Sequence, residues 1–577
     1  MRIALAQLNP VSGDIDGNTR ALIEAIGEAK ARGADVVVSP EMVLPGYCIG
    51  DLIEDRGFLE ANERAMQRVA EASTGITAVA GFIDCDYSAR SDTGTVRKYN
   101  AAAVVRDGRV LQRARKTLLP NYRYFDDRRF FTPADRREAV DVQTAEGPAR
   151  VGVSICEDMW DAFYAVKPLR ELAAKGAGII LNLNASPFYP GKRHERDALI
   201  RRHIEEVRRP VVYVNTAGAA DNGKNIIPFD GESLVYDEHA RLIAIGKQFA
   251  EDLLIVDFDG QPKPALDLPP IDRDRELYDA LQMALVDYMR KTGFTRATVA
   301  VSGGIDSALA LAIAVDALGA GQVNAFNMPT RHNTGTTRAI AERLAAACGV
   351  SYGVIPIQSL NDAIVSTFEE HAHPVARSLT RENLQARIRG LLMMAESNDT
   401  GALLISCGNE TEIALGYATL YGDMCGGISL IGDLSKTDVY RLARYVNQRH
   451  GDERIPAETF DIVPSAELAD NQYDPFDYAV VSPIVGELVE RRMSAGELVS
   501  RFDNRELDPA RFLPDGEGRT VYDKHTTATF ARIVDDCATR IRRSVYKRLQ
   551  GPPIVAVSER AFGFDLRETI INGFKGS

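Results

Sequence analysis

Up to about residue 260, short apolar runs alternate with longer stretches in which apolar residues recur every three or four positions. The runs Ile3 to Leu8, Asp35 to Val38, Ile76 to Phe82, Ala101 to Val105, Arg150 to Ile155, Ile179 to Leu183 and Val211 to Asn215 are too short for buried helices and read as strands. Gly17 to Arg32, Leu59 to Glu71, Ala162 to Lys175 and Arg193 to Arg208 carry the helical period. Asp107-Gly108, set between Val104-Val105 and Val110-Leu111, predicts a tight hairpin. The pattern is that of a layered α/β domain.

The pattern breaks at Gln261-Pro262-Lys263-Pro264-Ala265-Leu266-Asp267-Leu268-Pro269-Pro270, which is proline-rich and without period. We therefore expect domains at 1–260 and 271–577 joined by a linker at 261–270. Asp272 to Lys291 predicts an amphipathic helix. Ala297 to Val301 then reads as a strand, Ser302-Gly303-Gly304-Ile305-Asp306-Ser307 as a glycine turn, and Ala308 to Val315 as a helix apolar on nearly every face. Further alternation through Gln322 to Met328, Thr336 to Cys348, Val354-Ile355 and Leu403 to Cys407 predicts a doubly wound parallel sheet, in which ligands lie beyond the carboxyl ends of the strands.

A chain of 577 residues exceeds what one hydrophobic core usually organises, and its 45% hydrophobic and 26% charged residues are ordinary for a globular protein. The net charge of −13 argues against a general nucleic-acid or anionic-membrane surface. The basic run Lys192-Arg193-His194-Glu195-Arg196, with Arg201-Arg202-His203, reads as the solvated face of a helix. The seven cysteines are scattered, odd in number and lack C-x-x-C spacing, which suggests neither a disulfide framework nor zinc and fits a reducing cytoplasm. No membrane span or secretory core is expected, so the predicted location is cytoplasmic.

Two stretches carry candidate chemistry. The turn Ser302 to Ser307 is a phosphate cradle: its glycines admit close backbone approach, Ser302 and Ser307 offer hydroxyls, and the following helix points its unpaired N–H groups at the same spot. It lacks the Gly-Lys-Ser/Thr ending of a Walker A loop. In the first half, Glu41, Lys116 and Cys156 each follow a predicted strand. A glutamate, a lysine and a cysteine that converge there supply a base, an oxyanion stabiliser and a nucleophile. Taken singly, a free cysteine is often a small buried hydrophobe and a Glu–Lys pair is often only a salt bridge.

The surrounding residues bear on that choice. Ser39-Pro40-Glu41 with Pro45-Gly46-Tyr47, Arg115 to Tyr122, and Ile155-Cys156-Glu157-Asp158-Met159-Trp160 resemble the nitrilase superfamily in order and spacing. The resemblance implies a four-layer α-β-β-α sandwich in which Cys156 attacks a carboxamide, Glu41 relays protons and Lys116 steadies the oxyanion. It also suggests a glutamine pocket from Tyr122, Ser186 and Lys192. Asp127 stands where members of that family carry a second glutamate.

The turn Ser302 to Ser307 likewise resembles the pyrophosphate loop of the ATP pyrophosphatase superfamily. Asn383 to Gly390, Gly408 to Glu412, Gly416 to Asp423, Gly432 to Thr437, Pro464 to Leu468 and Tyr546-Lys547-Arg548 narrow the likeness to the NAD synthetase branch. With the nitrilase-like half in front, the chain resembles the glutamine-dependent NAD synthetase family. The implied reaction adenylates deamido-NAD with ATP and Mg, and ammonia from glutamine then displaces AMP. By resemblance, Ser302, Gly303, Gly304, Asp306, Ser307, Cys407 and Lys436 serve ATP. Asn383, Glu412, Tyr417, Leu420 and Lys547 serve deamido-NAD, and Asp306 and Glu412 the metal. The segment from Gln472 to Val485 departs from the pattern and receives no ligand contacts.

Two other readings stand beside this one. The chain is another glutamine-dependent amidotransferase of the same loop superfamily, or its first half is a retired nitrilase fold serving only as an oligomerisation scaffold. Nitrilase-like domains commonly pair across a dimer interface, so a homo-oligomer is expected by resemblance. An internal ammonia passage is a further expectation, because ammonium has no lone pair with which to attack an adenylate.

Overall fold

The computed structural model describes residues 1–470, 472–515 and 517–572. The chain falls into two compact units, one built from Met1–Asn222 with Ile227–Arg273, the other from Gly223–Ile226 with the chain from Asp274 onward.

The first unit holds two six-stranded sheets. One runs in the order Asp252–Asp257, Arg2–Gln7, Val36–Val38, Thr77–Arg90, Val96–Arg106, Arg109–Arg115, and the other in the order Leu242–Ile245, Leu234–Tyr236, Val211–Asn215, Ile179–Asn184, Gly147–Ile155, Val140–Thr144. The period-two alternation explains how they meet. Ile3, Leu5, Val36, Val38, Val79 and Val104 of one sheet share a core with Val151, Val153, Ile179, Leu181, Val212 and Val214 of the other. Each such buried side chain contributes about 1.5–3 kcal/mol by leaving water. On the far face of the second sheet, Ile180, Tyr213, Leu234 and Tyr236 pack with Leu169, Leu172, Leu199, Ile200 and Ile204 of two helices. Helices Ile15–Ala31 and Arg56–Ala72, begun by N-caps Asp14 and Asp55, adjoin the first sheet and bury Leu22, Ile26, Leu59, Met66 and Val69. The layers are α-β-β-α.

The second unit is wound on a parallel sheet. Asn225-Ile226 pairs with Ile554–Val555, followed in space by Ile428–Ser429, Leu403–Ser406, Ala297–Ala300, Val323–Asn327 and Ser351–Val354. Ala297–Ala300 lies between the strand that follows it in sequence and one formed about a hundred residues later. That reversal is the topological switch point, where the strand ends open a crevice. Asn225 is fully buried and fixes this edge: its amide donates to the Phe562 carbonyl at 2.7 Å and accepts from the Phe564 N–H at 2.8 Å.

The expected helix over Ala162 to Lys175 is shorter than its periodicity suggests and spans only Pro168–Ala174. Pro168 starts it at the first helical position, and the preceding residues form a loop in which Lys167 Nζ donates to the Asp161 carbonyl at 2.6 Å. Among the described residues, no helix is long and apolar enough to cross a membrane.

Candidate active sites

In the first unit, four strand ends from both sheets converge. Glu41 follows Val36–Val38, Lys116 follows Arg109–Arg115, Cys156 follows Gly147–Ile155, and Ala185 follows Ile179–Asn184. Lys116 is fully buried, with Nζ 2.7 Å from Glu41 Oε1 and 2.7 Å from Asp127 Oδ2. Glu41 also accepts from Asn100 Nδ2 at 2.7 Å and from the Ala185 backbone N–H at 3.1 Å. Asp127 accepts from the Tyr47 hydroxyl at 3.2 Å, so its shorter side chain still reaches the lysine. Gly81 makes room for the Glu41 segment, because a Cβ there would lie 2.4 Å from the Pro40 carbonyl oxygen and the Met42 nitrogen.

Cys156 sits at the head of the tight turn Cys156–Met159 with a left-handed φ of 44°, a conformation that a non-glycine residue holds only when its surroundings enforce it. Asp158 does so. Its carboxylate accepts from the N–H groups of Ile155 at 3.0 Å, Thr117 at 3.0 Å and Leu118 at 2.8 Å, tying the cysteine turn to the chain just past Lys116.

Burial pushes the Cys156 thiol well above its ordinary pKa and Glu41 adds to this, while Lys116 and the Ala185 N–H oppose it. Burial likewise raises Glu41, against the pull of Lys116. Burial works against the charge of Lys116, but Asp127 and Glu41 outweigh it and hold the ammonium. The resting site is therefore a neutral thiol beside a fixed cation and a carboxylate able to take a proton.

The other residues expected here are placed less uniformly. Tyr122 donates to Glu157 Oε2 at 2.9 Å, and Tyr164 donates to Glu157 Oε1 at 3.0 Å. Ser186 is buried, its hydroxyl engaged by Arg196. Lys192 Nζ stands 3.9 Å above the Trp160 ring and 3.0 Å from Glu195.

In the second unit, a cavity of about 620 Å³ opens at the switch point. Ser302, Gly304, Asp306, Ser307, Cys407, Glu412, Tyr417 and Lys436 all line it. Gly303 shapes the loop from behind, with φ +92° and no room for a Cβ, which would fall 2.2 Å from the Thr337 carbonyl oxygen. Lys436 Nζ bridges Asp306 Oδ2 at 2.6 Å and Glu412 Oε1 at 2.9 Å. Asn409 sets this geometry: its Oδ1 caps the helix Glu410–Leu415 through the Glu412 N–H at 3.1 Å, and its Nδ2 donates to Asp306 at 2.8 Å. Burial, with Asp306 adding and Lys436 opposing, pushes Glu412 up to about 7.

Asn383, Leu420 and Lys547 are not among the residues lining the cavity. They gather instead around the loop that carries Tyr417. Lys547 Nζ donates to the carbonyls of Gly416 at 2.8 Å and Ala418 at 2.7 Å, Thr419 donates to Asn383 at 2.9 Å, and Arg387 donates to the Leu420 carbonyl at 3.2 Å.

Gln472, Tyr473 and Asp474, in the segment that departs from the family pattern, form part of the cavity wall. Arg389 and Glu467 line it as well, and burial lowers the Arg389 guanidinium to about 10 against the pull of Glu467. Arg389, Glu467 and Asn409 lie within the family-like stretches but are not singled out there, and Asn100 carries no local sequence signal.

Residues 2–262 match the carbon-nitrogen hydrolase family and residues 277–508 the NAD synthase family. Over its whole length the chain is 36% identical to the glutamine-dependent NAD(+) synthetase of Thermotoga maritima, covering 99% of that protein, and 36% identical to that of Xanthomonas campestris, covering 98%. The chain belongs to the glutamine-dependent NAD+ synthetase family. Among solved members, that of Acinetobacter baumannii, determined with adenosine diphosphate, shares 31% identity at a TM-score of 0.73 over 99% of this chain and 98% of its own. The glutamine-dependent NAD+ synthetase of Cytophaga hutchinsonii, at 22% identity and a TM-score of 0.80 over 99% of this chain and 98% of its own, has the same fold. As in glutamine-dependent NAD+ synthetases by name, a glutaminase and an NAD synthase domain share one chain, and the two constellations above fall one in each matched region.

Proposed function

We propose that the first site releases ammonia from glutamine by covalent catalysis at Cys156 and that the second adenylates deamido-NAD and receives that ammonia. The observation that carries the first part is the convergence of Glu41, Lys116 and the Cys156 thiol at the joined strand ends. The thiol passes its proton to Glu41 as sulfur attacks the glutamine carboxamide carbon, and the Lys116 ammonium stabilises the oxyanion. Glu41 returns the proton to the departing nitrogen as the C–N bond breaks, leaving a glutamyl thioester and NH3. Water, deprotonated by Glu41, attacks the thioester, and glutamate leaves as the thiol is restored. Glu157, held by two tyrosine hydroxyls next to the nucleophile, supplies the negative charge that suits the α-ammonium of glutamine.

In the second site the glycine loop and the first N–H groups of the helix Ile305–Leu318 face the ATP phosphates, and Lys436 supplies positive charge. A carboxylate oxygen of deamido-NAD attacks the α-phosphorus and pyrophosphate leaves. Ammonia then attacks the acyl carbon and AMP leaves, giving NAD and one proton. Asp306 and Glu412 form a hard-oxygen pair that fits Mg2+, an ion that binds through one or two carboxylates plus phosphate oxygens and water. Bound there, it would neutralise phosphate charge. Among the described residues no group of three His, Cys, Asp or Glu could hold a metal, so the remaining ligands would come from ATP and solvent.

The test is NAD and AMP formation from deamido-NAD, ATP and Mg, with glutamine or with concentrated ammonium, for the unchanged chain and for Cys156→Ala. The variant is expected to lose the glutamine-driven reaction and keep the ammonium-driven one within a few fold. Retained glutamine-driven synthesis would remove Cys156 as the nucleophile.

A further inference from the structure

The Ala185 N–H donates to Glu41 Oε2 at 3.1 Å, and its dipole also opposes the rise of the Cys156 thiol. The base is therefore held in place only if the two residues that follow the strand Ile179–Asn184 stay fixed. That turn has no ladder partner of its own, since the pairing ends at Asn184↔Asn215.

A buried cage holds it instead. Ser186 N–H donates to Asn215 Oδ1 at 2.9 Å, and Asn215 Nδ2 donates to the carbonyls of Ser186 at 3.3 Å and Gly231 at 3.0 Å and to Asp230 Oδ1 at 3.2 Å. Arg196 closes the cage from the helix Lys192–Val207. One terminal nitrogen donates to the Ser186 carbonyl at 2.9 Å, the Ser186 hydroxyl at 3.2 Å and the Pro187 carbonyl at 3.3 Å. The other is paired with Asp230 at 2.7 and 2.9 Å, and Nε reaches the Ser186 hydroxyl at 3.3 Å. Arg196 is 0% exposed and Asp230 1%, and with Arg193 and His203 also buried this helix side is not the solvated face its charges suggest. Burying an ion pair typically gains little stability over an apolar pair of similar volume. The planar fork does suit the task of gripping two successive carbonyls and a carboxylate in one orientation.

We propose that Arg196, braced by Asp230, is a positioning residue of the glutaminase. It clamps the turn Ala185–Ser186 so that the Ala185 N–H holds the Glu41 carboxylate in its working position. The inference rests on the glutaminase reading above and adds residues that touch neither the reacting atoms nor the sulfur.

The full-length Arg196→Met chain tests it, with Arg196→Lys and Asp230→Asn as graded companions. Expected for Arg196→Met is a fall of about a hundredfold in kcat with glutamine, the scale of an ångström-sized misplacement, with KM for glutamine within about threefold and the ammonium-driven rate unchanged. Alkylation of Cys156 by iodoacetamide, followed on its own peptide by mass spectrometry from pH 6 to 9, should slow most at neutral pH, where the aligned base matters. Asp230→Asn keeps an acceptor for the fork and should retain more activity than Arg196→Met. An unchanged kcat overturns the proposal, as does a rise in KM alone, which would place Arg196 in substrate binding. Loss of both nitrogen sources together with a lower unfolding midpoint would assign it to folding and overturn it too. Cys156→Ala run alongside separates the two levels: if that variant still uses glutamine, the glutaminase reading itself is wrong, whereas if only it loses glutamine use, the clamp alone fails.

Discussion

Each unit buries a lysine between two carboxylates, yet the two triads differ in how far they are sealed from solvent. Lys116 lies between Glu41 and Asp127 with its side chain 0% exposed and the carboxylates 0% and 6% exposed, so no solvent or large ligand replaces either partner. Lys436 lies between Asp306 and Glu412 at nearly the same distances, but those carboxylates are each 18% exposed toward the cavity. The first is a preorganised charge, assembled on folding, which the proposed mechanism would use to meet a short-lived oxyanion. The second is more open: on the proposed reading, an arriving polyphosphate and its cation would draw the lysine and the two acids onto themselves. The same three residue types would then serve a covalent reaction in one place and phosphate handling in the other, with the depth of burial as the difference between them.

Replacing each lysine by methionine breaks the comparison most severely. Lys116→Met should abolish glutamine-driven synthesis by about a thousandfold or more and spare the ammonium-driven reaction, whereas Lys436→Met should depress both. Stability should separate them too. Removing Lys116 strands two sealed carboxylates, at a cost of about 3–5 kcal/mol near neutral pH. Because Glu41 already has a raised pKa in the folded state, this deficit should be present above its folded pKa and shrink as pH falls through it toward the ordinary carboxylate range. Urea unfolding of both variants across that range checks the sign. A Lys116→Met chain as stable as the parent at pH 7 would mean that the triad is wetter than it looks.

A smaller effect is expected from Gly303→Ala. The added methyl meets the Thr337 carbonyl and the loop holds φ +92°, so the loop must shift, costing about 1–3 kcal/mol. ATP turnover should then drop by at least tenfold with either nitrogen source, with alkylation of Cys156 unaffected. Asp127→Asn should give the mildest result. The negative charge of Asp127 helps hold Glu41 above its ordinary pKa, so its removal should move the acid limb of the glutamine-driven pH profile to lower pH. A limb that moves upward or stays put would detach Asp127 from the base.

Most of the sandwich was legible because its strands alternate or run apolar between clear turns, and Glu41, Lys116 and Cys156 were visible as polar residues closing those runs. The glycine loop was equally legible. What escaped is held by contacts distant in sequence. Nothing near Asn100 announces that its amide will meet Glu41, and nothing near Asn409 announces the bond to Asp306. The cavity wall at 462–469 and 472–474 has neither helical nor strand period. It is placed by partners such as Gln385, which donates to the Leu468 carbonyl at 2.8 Å, and Thr337, which donates to Glu467 at 2.9 Å. Periodicity also overshot at Ala162, where the hydroxyl of Tyr164 belongs to Glu157 rather than to a helix face.

The four residues Gly223–Ile226 bear on how the gene for such a chain can be divided. They are written among the codons of the first unit, yet Asn225 and Ile226 among them pair with Ile554 and Val555 of the second, where Asn225 seats the hook around Phe562. A cut within 261–270 would therefore deliver a synthetase half with an open sheet edge at Ile554 and a C-terminal hook without its anchor. Separate genes for the two activities would need that short strand copied or replaced on the synthetase side, so fission of this chain is a harder evolutionary step than its two-part reading frame suggests.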